Sequence, residues 1–97
     1  MKFTVRFVPG ADGDLGYYQT AEQKVILDAI GKFLEADAST ESKRRKQLRP
    51  NPLAPWELRI GNYRVFYEIK PEALVRVLAI GHKVHNDLFI RGERVEV

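Results

Sequence analysis

Three strand-like runs separated by two turn signals constrain this chain more than any other feature. Trp56-Glu57-Leu58-Arg59-Ile60 alternates, Gly61-Asn62 follows, and Tyr63 to Lys70 returns; Pro71-Glu72 turns again before Leu74 to Gly81, a run rich in β-branched and aliphatic residues. Such runs, joined by short turn signals, specify strands paired as hairpins, and Gly61 and Asn62 both tolerate the positive φ of a two-residue turn. The spacing predicts a three-stranded antiparallel meander. Upstream, Pro50, Pro52 and Pro55 bar a helix, so residues 37–55 read as irregular.

The first half has a different texture. Phe3, Val5 and Phe7 alternate with Lys2, Thr4 and Arg6, the pattern of a half-buried strand that Pro9 and Gly10 end. Residues 11–18 allow a short helix despite Gly13 and Gly16. Thr20-Ala21-Glu22-Gln23 fits a capping box, and Ala21, Val25, Ile26, Ala29, Ile30, Phe33 and Leu34 then recur at helical spacing. This predicts an amphipathic helix of about four turns ending near Ala36. The 97 residues suit one domain, 1–97, of α+β class: an N-terminal strand and helices packed on a small curved antiparallel sheet.

Composition narrows the function classes. No cysteine is present, which excludes a disulfide framework and a thiolate metal site. No apolar run is long enough to span a bilayer and no signal-peptide pattern opens the chain, so no membrane partner and a cytoplasmic location are expected. The net charge of +3 is unevenly placed. Residues 1–41 carry four basic against seven acidic side chains, and residues 43–97 carry twelve basic against six acidic. That asymmetry points to an anionic partner for the second half, although a solvated face produces the same arithmetic.

Alternation assigns faces to the meander. Trp56, Leu58 and Ile60 share one side, leaving Glu57 and Arg59 on the other; Arg64, Phe66 and Glu68 share a side opposite Val65, Tyr67 and Ile69. With helices over the apolar side, an open face would gather Glu57, Arg59, Arg64, Lys2 and Arg6 around an exposed Phe66. Arginine forks pair phosphate and aromatic rings stack bases, so such a face suits single-stranded RNA. The basic tract Lys43-Arg44-Arg45-Lys46, with Arg49 nearby, is either a further RNA contact or a solvated turn. Gly81-His82-Lys83-Val84-His85 holds both histidines around a lysine, a set able to move protons and stabilise phosphate charge. Two histidines without an identifiable third ligand make a poor zinc site, and no metal or cofactor is expected.

The ordered set Leu48-Arg49-Pro50-Asn51-Pro52, Trp56 to Tyr67 and Val77 to Lys83 resembles the RelE/ParE superfamily of bacterial toxins. The resemblance covers residues 46–90 and implies a toxin neutralised by a cognate antitoxin. In its RelE-like form it further implies a metal-independent endoribonuclease cutting messenger RNA, often on the ribosome, by attack of a ribose 2′-OH on the adjacent phosphate. In its ParE-like form it implies an inhibitor of DNA gyrase that cleaves no RNA; a third form is a degenerate antitoxin-binding regulator. Carried over by position, Arg59, Arg64 and Lys83 are the expected phosphate contacts; for the proton transfers this chain itself offers Glu57 or His85 as base and His82 or His85 as acid. Two positions depart from the RelE-like pattern: Glu57 stands where a lysine is usual, and Phe89 where a tyrosine is.

Overall fold

The computed structural model describes residues 2–96. Strand β1 (Thr4–Phe7) leads into helix α1 (Pro9–Gly16) and helix α2 (Thr20–Ala29), which continues as a π-helical stretch Ile30–Glu35. Six strands follow: β2 (Arg45–Gln47), β3 (Trp56–Ile60), β4 (Tyr63–Lys70), β5 (Leu74–Val84), β6 (Asp87–Ile90) and β7 (Glu93–Val95). All neighbours in the order β2-β3-β4-β5-β6-β7 are antiparallel, whereas β1 lies parallel to β5, with Thr4 opposite Leu74 and Phe7 opposite Val77.

The α+β architecture and the central meander agree with the sequence reading, and the structure extends both. Residues 37–55 are not wholly irregular: β2 forms inside the basic tract and pairs with β3. The strand expected to end at Gly81 runs on to Val84, held by the Lys83 amide donating to the Asn62 carbonyl at 2.8 Å. Strands β6 and β7 carry weak alternation and escaped the sequence reading. Gly61, at φ 57°, supplies the left-handed turn between β3 and β4.

Helix α2 begins one residue earlier than its sequence signature. Gln19 is the N-cap, and the Glu22 carboxylate accepts its backbone N–H at 3.2 Å. Thr20 is therefore the first helical residue and not the cap. Ile26, Ala29, Ile30 and Leu34 of the expected apolar stripe are buried, while Val25 faces solvent. Helix α1 forms despite its glycines because Pro9 starts it and Asp14 anchors it. The buried Asp14 carboxylate accepts the Ile80 amide at 3.0 Å and Arg91 Nε at 2.7 Å, tying the helix to β5 and to the β6–β7 turn.

Two apolar clusters lie on opposite faces of the sheet. The larger packs Ile26, Ile30 and Leu34 of the helical segment against Leu58, Val65, Tyr67, Val75, Val77 and Ile80. The Tyr67 hydroxyl donates to the Ala38 carbonyl at 2.8 Å, and Trp56 stacks on the Tyr67 ring. The smaller cluster holds Ala54, Phe66, Ala79 and Leu88, with Leu48, Leu53 and Ile90 against it. The proline-rich segment folds over this second face because Asn51 braces it: Oδ1 accepts the amides of Leu53 and Ala54, and Nδ2 donates to the carbonyls of Arg49 and Ala54.

Candidate functional site

The register decides which predicted residues meet. Glu57 pairs with Phe66, which pairs with Ala79; Arg59 pairs with Arg64, which pairs with Gly81. Between Phe66 and Tyr67 the β4–β5 ladder slips, so that Tyr67 faces Val77 and Leu78 is left as an extra residue. This bulge changes the phase of β5. Val75 and Val77 point into the helix-side core before it and Ile80 does so after it. Continuing that alternation, Lys83 falls on the face of Glu57, Arg59 and Arg64, and His82 on the face of the helices.

On the first face, the Glu57 carboxylate is buried, 5% exposed, and stands between two arginines. Its Oε2 accepts Arg59 Nε at 2.8 Å, and its Oε1 lies 3.9 Å from Arg64 Nε. Arg64 does not project from an open surface as expected. Its side chain is only 14% exposed, and Nη1 donates to the carbonyls of Gly61 and Tyr63 at 2.8 and 2.9 Å. Desolvation pulls its guanidinium below the ordinary arginine range, against the opposing pull of Glu57. Arg64 Nε is buried with no hydrogen-bond partner among the described residues. A cavity of about 370 Å³ opens beside this group, lined among others by Arg49, Asn51, Glu57, Arg59 and Lys83.

Phe66, expected to be exposed for stacking, is 1% exposed and forms the floor of that cavity under the proline-rich segment. It cannot stack on a base, because its ring is spent on the second apolar cluster. The basic tract divides. Lys46 sits opposite Glu57 in the ladder and Arg49 lines the cavity, whereas Lys43 is solvated. Arg44 lies over the Phe33 ring at 4.8 Å, and Arg45 donates to the carbonyls of Thr40 and Phe33. Those two arginines hold β2 to the end of the helical segment.

His82 is therefore separated from Arg59 and Arg64, although Lys83 also lines its cavity. Its Nδ1 is 2.8 Å from the Tyr18 hydroxyl and its ring stacks on Phe89. His85 takes φ 58° at the exposed tip of the β5–β6 hairpin, where the structure gathers it with none of the other candidates. Around His82 lies a second cavity of about 650 Å³, lined by Tyr17, Tyr18, Glu22, Asn62, Tyr63 and His82, with Lys83 at its margin. The Tyr63 hydroxyl donates to Glu22 at 2.8 Å, and that bond to a carboxylate raises the Tyr63 phenol above its ordinary range. Burial, with smaller contributions from Tyr17 and Tyr63, raises Tyr18 as well. The sequence reading missed this group. Tyr17-Tyr18 lies in a glycine-punctuated stretch without periodicity, and only tertiary contact brings it to His82.

No helix is long and apolar enough to cross a membrane among the described residues, nor do three His, Asp or Glu side chains cluster as a metal site needs. The fold is similar to two solved complexes. One is the RelBE2 toxin–antitoxin complex from Mycobacterium tuberculosis, at TM-score 0.73 and 25% identity, covering 86% of this chain and 100% of that one. The other is the archaeal RelE–RelB complex from Pyrococcus horikoshii, at TM-score 0.68 and 18% identity, covering 88% and 99%. Comparison with curated proteins gave no match. Residues 5–86 match the family described as the ParE toxin of the type II toxin–antitoxin system parDE, a span that includes β1, both helices and the β3–β5 meander with Glu57, Arg59, Arg64 and Lys83. The chain belongs to that family of toxins.

Proposed function

We propose that this toxin is directed at RNA and cleaves a phosphodiester in the cavity between β3, β5 and the proline-rich segment, and that a cognate antitoxin blocks that surface. The observation that carries the reading is a cavity lined by Arg49, Arg59 and Lys83 together with Glu57, a carboxylate held between Arg59 and the buried Arg64 behind it. Unpaired messenger RNA, on or off the ribosome, presents the required phosphate. A ribose 2′ oxygen attacks the adjacent phosphorus; the new P–O bond forms as the P–O5′ bond breaks, giving a 2′,3′-cyclic phosphate and a 5′-hydroxyl. Such a step needs cations for the pentavalent phosphate and groups to take and give a proton.

In this reading an entering phosphate competes with Glu57 for Arg59 and meets Lys83, with the buried Arg64 adding positive charge behind Glu57. Glu57 Oε2, once released, accepts the 2′-hydroxyl proton. The Lys83 ammonium gives a proton to the leaving 5′ oxygen, a role Phe89 cannot fill. His82, on the far face, takes no part in this transfer.

One observation favours a second reading, a ParE-like binder of DNA gyrase without nuclease activity. Among the described residues lining the cavity there is no histidine and no tyrosine, so only Glu57 and Lys83 are left to move protons. Purified toxin separates the two. With labelled messenger RNA and with gyrase supercoiling assayed side by side, cyclic-phosphate products and undisturbed supercoiling are expected. Intact RNA with inhibited gyrase would overturn the nuclease reading.

A further inference from the structure

The cavity around His82 is larger than the cationic one and lies on the other face of the sheet, yet the two share Lys83. Strand β5 runs past the Gly61-Asn62 turn, so at Lys83 the sheet has β6 on one side and only that turn on the other. The two cavities meet at this edge of the sheet, where Lys83 lines both. We propose that the second cavity is a nucleobase subsite, taking one unpaired base of the RNA whose phosphate lies against Arg59 and Lys83. This rests on the RNA reading above.

The chemistry of the walls fits a base. Tyr17 presents a ring that is 52% exposed, one of the few large apolar surfaces the fold leaves uncovered. Tyr18 meets it edge to face, and Tyr63 meets Tyr18 in the same way. Two of the three tyrosines are held by hydrogen bonds before any ligand arrives, Tyr18 to His82 and Tyr63 to Glu22, and Tyr17 packs edge to face on Tyr18. A preorganised aromatic wall costs little entropy to stack upon, and stacking is tolerant of sequence. Glu22 supplies the edge contact. Each of its oxygens accepts one bond, from the Gln19 amide or the Tyr63 hydroxyl, and a carboxylate oxygen has room for a second. It can only accept, so it selects bases that present N–H donors, and the Asn62 amide beside it can complete the pairing. A cavity of about 650 Å³ holds a base with its ribose.

The test uses the purified toxin and short RNAs with 2′-O-methyl riboses, which bind but cannot undergo 2′ attack. Each RNA is compared with versions abasic at one position, by fluorescence anisotropy. One abasic position should weaken binding to the wild type about tenfold, the size of one stacked base. Tyr17→Ala should erase that difference, and Glu22→Gln should narrow it, with circular dichroism showing both variants folded. Arg59→Ala should weaken every RNA alike. If no abasic position matters to the wild type while Arg59→Ala still weakens binding, the subsite is overturned and the RNA reading stands. If RNA does not bind, or binds indifferently to Arg59→Ala, both are overturned. Should a basic peptide and not RNA lose affinity in Tyr17→Ala, the cavity belongs to a protein partner and the proposal fails.

Discussion

The Tyr18 hydroxyl lies 2.8 Å from Nδ1 of His82, joining the α1–α2 connection to the far end of β5 across 64 residues of chain. Either charge state of the imidazole keeps the bond, because a phenol donates to a bare Nδ1 and accepts from a protonated one. Tyr18→Phe removes it and leaves Nδ1 unpaired in a half-buried place. A loss of about 1 kcal/mol is expected, read as a lower urea midpoint at unchanged m-value.

Alkaline pH tests the same packing from another side. Tyr18 and Tyr67 are both raised above 10.0, mainly by burial. A phenol whose folded pKa exceeds its unfolded one is neutral in both states below pH 10 and contributes no pH dependence there. Above that, the unfolded state loses its proton first, so stability falls as pH rises by up to about 1.4 kcal/mol per unit for each phenol. Denaturation between pH 9 and 11.5 should show this decline, and Tyr67→Phe should reduce its slope despite losing the bond to Ala38.

Glu57→Gln separates chemistry from folding. An amide keeps the shape between Arg59 and Arg64 but cannot accept a proton from a 2′-hydroxyl. RNA cleavage by purified toxin should drop about 10²–10⁴-fold, the range for loss of a general base. The paired drop in stability should be about 1–3 kcal/mol, since one buried charge loses its partner. Retained cleavage with that stability loss would make Glu57 structural only.

His85 predicts the opposite outcome. A non-glycine residue at φ 58° carries backbone strain that glycine does not. His85→Gly should raise stability by up to about 1 kcal/mol and leave RNA cleavage unchanged. Loss of cleavage in that variant would return His85 to the reaction.

The Asp14 anchor is the fourth place to probe. Asp14→Ala removes the acceptor for the Ile80 amide and for Arg91, which should cost about 2–4 kcal/mol and free the β6–β7 turn. Gly13→Ala acts on the same contact, because a Cβ there meets the Arg91 guanidinium. It should cost less, since that side chain has a half-exposed end and can move. Thermal midpoints of the two variants give the order.

The meander was legible because each of its signals is local: alternation from Trp56 to Ile60, a turn at Gly61-Asn62, and a return from Tyr63. The helical segment was legible for the same reason, and its N-cap was misplaced by one residue because Gln19 does with Glu22 what Thr20 seemed placed to do with Gln23. Strand β2 was not legible. Its side chains are mostly charged, and it exists because Arg45 and the β3 ladder hold it. The burial of Phe66 was hidden too, since the cover comes from a proline-rich segment whose path depends on Asn51.

Sequence alone determined the α+β class, the strand meander and a basic second half that contains Arg59, Arg64 and Lys83. Only the tertiary structure decided on which face each β5 side chain stands. Unbroken alternation from Val75 would have sent Lys83 into the helix-side core and His82 to the open side. The single extra residue at Leu78 reverses both, because side chains in a strand alternate with period two and one inserted residue inverts everything after it. The consecutive apolar residues Val77 to Ile80 do not show which of them is the extra one; only the pairing with β4 does.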